Sequence, residues 1–131
     1  MKDRLTRRKL SGSAVAIAIV ALQLAWVTTG CESDNYTDHK PPAGDGSLVV
    51  DNHTGDDISI FVDGAYKAKV DSSSDRILDM APGLYRVVLT EEDHGDRSYR
   101  ADVDILDGRL TVLEVWISTD PHAYDVTTRF E

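Results

Sequence analysis

Four histidines, a serine cluster and a dense population of aspartates are the groups in this 131-residue chain that could do chemistry. His39, His53, His94 and His122 are scattered. No two have the close spacing of a zinc site, and no second cysteine completes a ligand set, so the histidines are expected to be solvated loop residues and no metal ligand is expected. Asp51, Asp56 and Asp57 surround a glycine turn and could hold calcium together with backbone carbonyls. Aspartate is also an ordinary turn former, and that role alone accounts for the three. In Asp102-Val103-Asp104-Ile105-Leu106-Asp107-Gly108, the loop position where a calcium-binding EF-hand needs glycine is Asp107. The alternation there describes a strand entering a turn instead. Ser72-Ser73-Ser74 lacks the Gly-x-Ser-x-Gly elbow of a nucleophilic serine. Carboxylate pairs abound, but glycoside hydrolysis needs two of them across a cleft, and a small domain has little room for one. No catalytic residue and no cofactor site is therefore expected. Trp116 shares a strand face with Glu114, which makes Trp116 and Glu114 the candidate binding surface. An exposed indole there could stack on a sugar ring; packing is the plainer role.

Cys31 is the remaining reactive group and the chain's single cysteine. It follows a start carrying Lys2, Arg4, Arg7, Arg8 and Lys9, then a nearly unbroken apolar run from Ala14 to Val27, then Thr28-Thr29-Gly30. A basic, apolar, small-residue order is that of an export signal. The run falls short of the roughly 20 apolar residues needed to span a bilayer. Ending in Gly30-Cys31, the segment resembles a bacterial lipoprotein signal peptide. The resemblance implies cleavage before Cys31 and lipidation of its side chain, hence attachment to the membrane through that lipid. Thr6-Arg7-Arg8-Lys9-Leu10 is also similar to a twin-arginine motif, so export by the general or the twin-arginine route is expected. Glu32, in place of the aspartate associated with inner-membrane retention, points to the outer membrane, facing periplasm or exterior.

The whole chain carries a formal charge of −9. From Cys31 onward nine basic residues face 22 acidic ones, a balance of −13. Such a surface repels phosphate backbones and argues against a nucleic-acid partner. It also repels anionic bilayers, so the lipid must do the anchoring, and stable anchoring takes more than one acyl chain. With Cys31 consumed by the lipid, no disulfide can form, and the domain must stand on its own core.

Three segments follow: a signal peptide at 1–30, a lipidated Cys31 with a disordered linker at 31–46, and a β domain at 47–131. The linker is polar, rich in Pro and Gly, and without apolar periodicity. From Ser47 the period becomes two. Ile58, Ile60 and Val62 share a face, as do Tyr85, Val87 and Leu89, and as do Tyr99, Ala101, Val103 and Ile105. Asp63-Gly64, Pro82-Gly83 and Asp107-Gly108 supply turns, the first a strong hairpin signal. Seven or eight short strands at near-regular spacing predict an all-β fold, a small antiparallel β-sandwich.

Three motifs recur in order: Leu48-Val49-Val50-Asp51-Asn52, Ile60-Phe61-Val62-Asp63-Gly64, and Ala81-Pro82-Gly83-Leu84-Tyr85-Arg86-Val87. Together they resemble the PEGA domain found in bacterial surface lipoproteins, over about residues 47–117. The Pro-Glu-Gly-Ala turn itself is replaced by His53-Thr54-Gly55-Asp56-Asp57. The resemblance implies a β-sandwich and a cell-envelope role, and carries no catalytic residue. Three readings of function follow. The first is a lipid-anchored, non-catalytic module that binds an envelope protein or glycan. The others are a carboxylate-rich calcium-binding surface domain and, last, a small hydrolase.

Overall fold

The computed structural model describes residues 36–131. The signal peptide, the twin-arginine motif, Cys31 and residues 32–35 lie outside the described residues. Eight strands follow one another: β1 Gly46–Asn52, β2 Ile58–Val62, β3 Ala65–Val70, β4 Asp75–Met80, β5 Gly83–Glu91, β6 Ser98–Ile105, β7 Leu110–Ile117 and β8 Tyr124–Phe130. They form two four-stranded sheets, ordered β4-β1-β7-β8 and β3-β2-β5-β6, so the expected β-sandwich is the fold. Each sheet places alternate residues on one face. Leu48, Val50, Leu113, Val115 and Tyr124 of the first sheet meet Ile58, Ile60, Val62, Val87, Leu89, Val103 and Ile105 of the second in one buried core. At about 25 cal/mol per Å² of apolar area, such side chains stabilise by roughly 1.5–3 kcal/mol each when buried.

Turn chemistry fixes the register of the second sheet. Asp63 and Gly64 have φ of 50° and 81°, the paired left-handed conformations of a two-residue hairpin turn. The Asp63 carboxylate accepts the Arg86 N–H at 2.9 Å and the Asp63 N–H donates to the Arg86 carbonyl at 2.8 Å. The β2–β3 hairpin is thereby tied to β5 as well as closed on itself. Its ladder slips between Ile60 and Phe61, where Ile60 faces Ala68 and Phe61 faces Tyr66. This bulge leaves Tyr66 outside, edge-on to Phe61 with ring centroids 5.7 Å apart.

Two features depart from the expected picture. The pairing is not antiparallel throughout: β1 runs parallel to β7 from Ser47 to Asn52, between β7 and an antiparallel β4. A parallel neighbour needs a long crossover, and here the entire second sheet supplies it. Second, the expected disordered linker is held down over part of its length. Tyr36–Asp38 form a single 3-10 turn, and Tyr36 packs on the outer face of the first sheet against a small cluster of Val49, Leu110 and Val112, beside Ile77. His39 Nε2 lies 2.8 Å from the Asp79 carboxylate on β4, which also accepts a hydrogen bond from Ser47. The reason is the outer face of β1 and β7, which is apolar at this end and needs a cover. Residues 36–45 therefore form a strap across the sheet.

Candidate functional site

Beyond the strap, the outer face of the first sheet turns polar, and β1 and β7 build it in register. Asp51 on β1 sits opposite Glu114 on β7, one step before the Asn52–Val115 pair. Alternation keeps Val50, Asn52, Leu113 and Val115 inward, so the next outward residues are His53 and Trp116. The His53 N–H donates to the Val115 carbonyl at 2.9 Å and extends the ladder by one residue. Four side chains then form a two-by-two array. The His53 and Trp116 rings stack with centroids 4.0 Å apart and planes 6° from parallel. His53 Nε2 lies 3.1 Å from the Asp51 carboxylate.

A buried asparagine sets the loop that carries His53. Asn52 is 1% exposed, and its amide N–H groups donate to the carbonyls of Asp56 at 2.8 Å and Asp71 at 3.0 Å. Its side-chain oxygen accepts the Thr54 N–H at 3.0 Å and the Thr54 hydroxyl at 2.7 Å. Two donors and two acceptor positions are all engaged, the full capacity of the side chain.

Electrostatics of the array follow from its neighbours. Glu114 is paired with Arg129 of β8 at 3.2 Å, and Arg129 also reaches Glu131 at 3.2 Å. The same guanidinium donates to the Tyr36 hydroxyl and lies 6.0 Å from that ring's centroid. Burial first, then a hydrogen bond with Asp51 and that carboxylate's charge, raise the Tyr36 phenol above its usual pKa. The strap, the carboxylate pair and the stacked rings are thus consecutive zones of one surface.

Trp116 and Glu114 share this face as the strand pattern predicts, and Trp116 is 47% exposed. The ring beside Trp116 is His53. His53 was missed by sequence reasoning because only the parallel register brings it to Trp116; its position two residues after Asp51 is the one signal available. The other chemistry-bearing groups go elsewhere. Asp51, Asp56 and Asp57 do not converge on a calcium site. The Asp56 carboxylate accepts from Arg97 at 3.3 Å and from the Tyr124 hydroxyl at 3.3 Å. Asp57 pairs with Lys69 at 3.1 Å and accepts the Ser72 N–H at 2.9 Å. The latter bond, then Lys69, holds the Asp57 carboxyl below its usual pKa. Burial, followed by the charges of Asp56 and Glu91, raises the Tyr124 phenol. In the serine loop the Ser74 hydroxyl donates to the Ser72 carbonyl, an arrangement that shapes the loop.

No family model matches the sequence, and no curated protein matches it. Among solved structures, the chain is similar to the N-terminal domain of AlgF from P. aeruginosa, at 15% identity and a TM-score of 0.46, over 67% of this chain and 96% of that one.

Proposed function

We propose that this chain is a lipid-anchored, non-catalytic module of the cell envelope that binds another envelope component through the outer face of its first sheet, around Trp116 and Glu114. The observation that carries this reading is the half-exposed Trp116 indole. It is clamped flat by His53 on one side and framed by carboxylates that accept hydroxyl protons. An aromatic platform beside oxygen acceptors suits a saccharide: the ring stacks on the sugar's C–H face while the carboxylates take its hydroxyls. Preorganisation matters here, because a side chain already fixed loses little entropy on binding. Anchoring rests on Gly30-Cys31 after the apolar run, and the module's reading as a binder rests on the surface, since fold alone does not define function.

The test is retention of the purified protein on immobilised, lipid-free envelope polysaccharide, where an acyl anchor cannot hold it. Trp116→Ala, with an unchanged β-sheet spectrum, is expected to lose at least about tenfold in affinity, the loss of roughly 1.4 kcal/mol of stacking. Unchanged retention would remove this face from the reading. Turnover of a substrate by the purified protein would overturn its non-catalytic part.

A further inference from the structure

We infer that Asp51, His53 and Glu114 form a binding site for a divalent transition-metal cation of the zinc type, on the outer face of the first sheet. The site shares Glu114, Asp51 and His53 with the saccharide surface proposed above, but metal binding there stands or falls independently of sugar binding.

Three observations combine. One ligand atom from each of the three residues lies within 4.8 Å of the others. A tetrahedral zinc ion with bonds of about 2.1 Å spaces its donors about 3.4 Å apart, so small side-chain rotations complete the set. The imidazole already has the needed orientation: its Nε2 faces Asp51, and stacking on Trp116 fixes the ring plane. A metal-binding histidine is usually held from outside its coordination sphere by a hydrogen bond, and the indole does that positioning here. Finally, the in-register pairing sets two carboxylates directly opposite each other on adjacent strands. Like charges so placed destabilise a sheet unless a cation lies between them or nearby.

Arg129 meets that demand only in part. It reaches Glu114 at 3.2 Å but divides its guanidinium among Glu114, Glu131 and the Tyr36 hydroxyl, and no hydrogen bond or ion pair joins it to Asp51 among the described contacts. The cluster of Asp51, Glu114, Glu131 and Arg129 keeps an excess of negative charge even so. The donor chemistry selects the metal. One imidazole and two carboxylates suit zinc, nickel or copper, whereas calcium takes six to eight oxygens and gains nothing from a nitrogen donor. Side-chain exposures of 16% for Asp51, 22% for Glu114 and 35% for His53 leave an entry path and room for water as a further ligand.

Trp116 supplies the readout. In the full chain carrying Trp26→Phe, Trp116 is the sole indole, and paramagnetic Ni²⁺ bound at His53 would quench it at contact range. Expected are saturable quenching at one equivalent of Ni²⁺, its relief by competing diamagnetic Zn²⁺, and one-to-one Zn²⁺ uptake by calorimetry. His53→Gln should abolish the quenching phase. Asp51→Asn and Glu114→Gln should each weaken Zn²⁺ by at least about tenfold, while His94→Gln leaves it unchanged. The nickel–zinc competition uses no ligand variant, so a misfolded mutant cannot obscure the result. Lack of saturable Zn²⁺ uptake below about 1 mM, or uptake unaltered in His53→Gln, would overturn the assignment.

Discussion

Asn52 shows how much of this site one residue arranges. It ends β1, faces inward, and spends every hydrogen-bonding group on the two loops that follow β1 and β3. Asn52→Ala would remove the side-chain partner of the Asp71 carbonyl and of the buried Thr54 N–H, and leave the Asp56 carbonyl only the 3.3 Å bond from the Thr54 hydroxyl, each unmet group costing about 1–3 kcal/mol. We expect a loss of about 3 kcal/mol in denaturant unfolding, together with weakened Trp116–His53 stacking seen as a change in Trp116 emission. Asp79 makes a second prediction. Burial would push its carboxyl up, but the hydrogen bonds from Ser47 and His39 outweigh it and hold the pKa below the usual 3.8. A depressed folded pKa means the contribution is fully present above the unfolded value and lost as pH falls through the folded one. The strap's hold should therefore loosen below about pH 4, and Asp79→Asn should flatten that acid limb in a melting series. At this scale the sequence was only partly readable. It placed Trp116 beside Glu114, a relation two residues long. It could not place His53 against either, because that contact depends on which strand lies next to which.

Strands were the most readable level, because alternation is a property of a few consecutive residues while pairing is a property of the whole chain. The run Tyr99, Ala101, Val103, Ile105 predicts β6, and Val103 and Ile105 are indeed buried. The Asp63-Gly64 turn has the conformation its residues demand. Gly64→Val should cost about 1 kcal/mol or more, since a β-branched residue resists positive φ. The parallel partnership of β1 and β7 left no such local mark. It does impose a test on Gly46, where β1 starts: an added Cβ would lie 2.3 Å from the Leu106 carbonyl oxygen and 2.8 Å from the Ile105 side chain. Backbone cannot yield there cheaply, so Gly46→Ala should destabilise by about 2 kcal/mol, read as a shifted denaturant midpoint. The strap escaped notice for a different reason. Its composition is that of a linker, and only Tyr36 among its residues has the size to cover the apolar end of the sheet.

For the molecule as a whole, the acidic surface and the proposed lipid divide the work: charge keeps the domain from lying on an anionic bilayer while the acyl chains keep it from leaving. Cys31→Ala should accumulate unprocessed precursor, and a free Cys31 thiol in the mature protein, found by mass spectrometry, would end that reading. With Cys31 lipidated, the covalent path to Tyr36 spans at most about 18 Å. The strap then acquires a mechanical meaning. A tug from the membrane arrives first at Tyr36 and His39, which are fastened to the sheet by side-chain contacts alone. Those fasteners can unzip one after another before any load reaches the backbone ladder of β1. Ten residues would come free, a stretch of at most about 35 Å when fully extended, while the sandwich stays folded. Pulled singly, the molecule should yield a small early extension at low force, absent in Tyr36→Ala, ahead of the rupture of the domain.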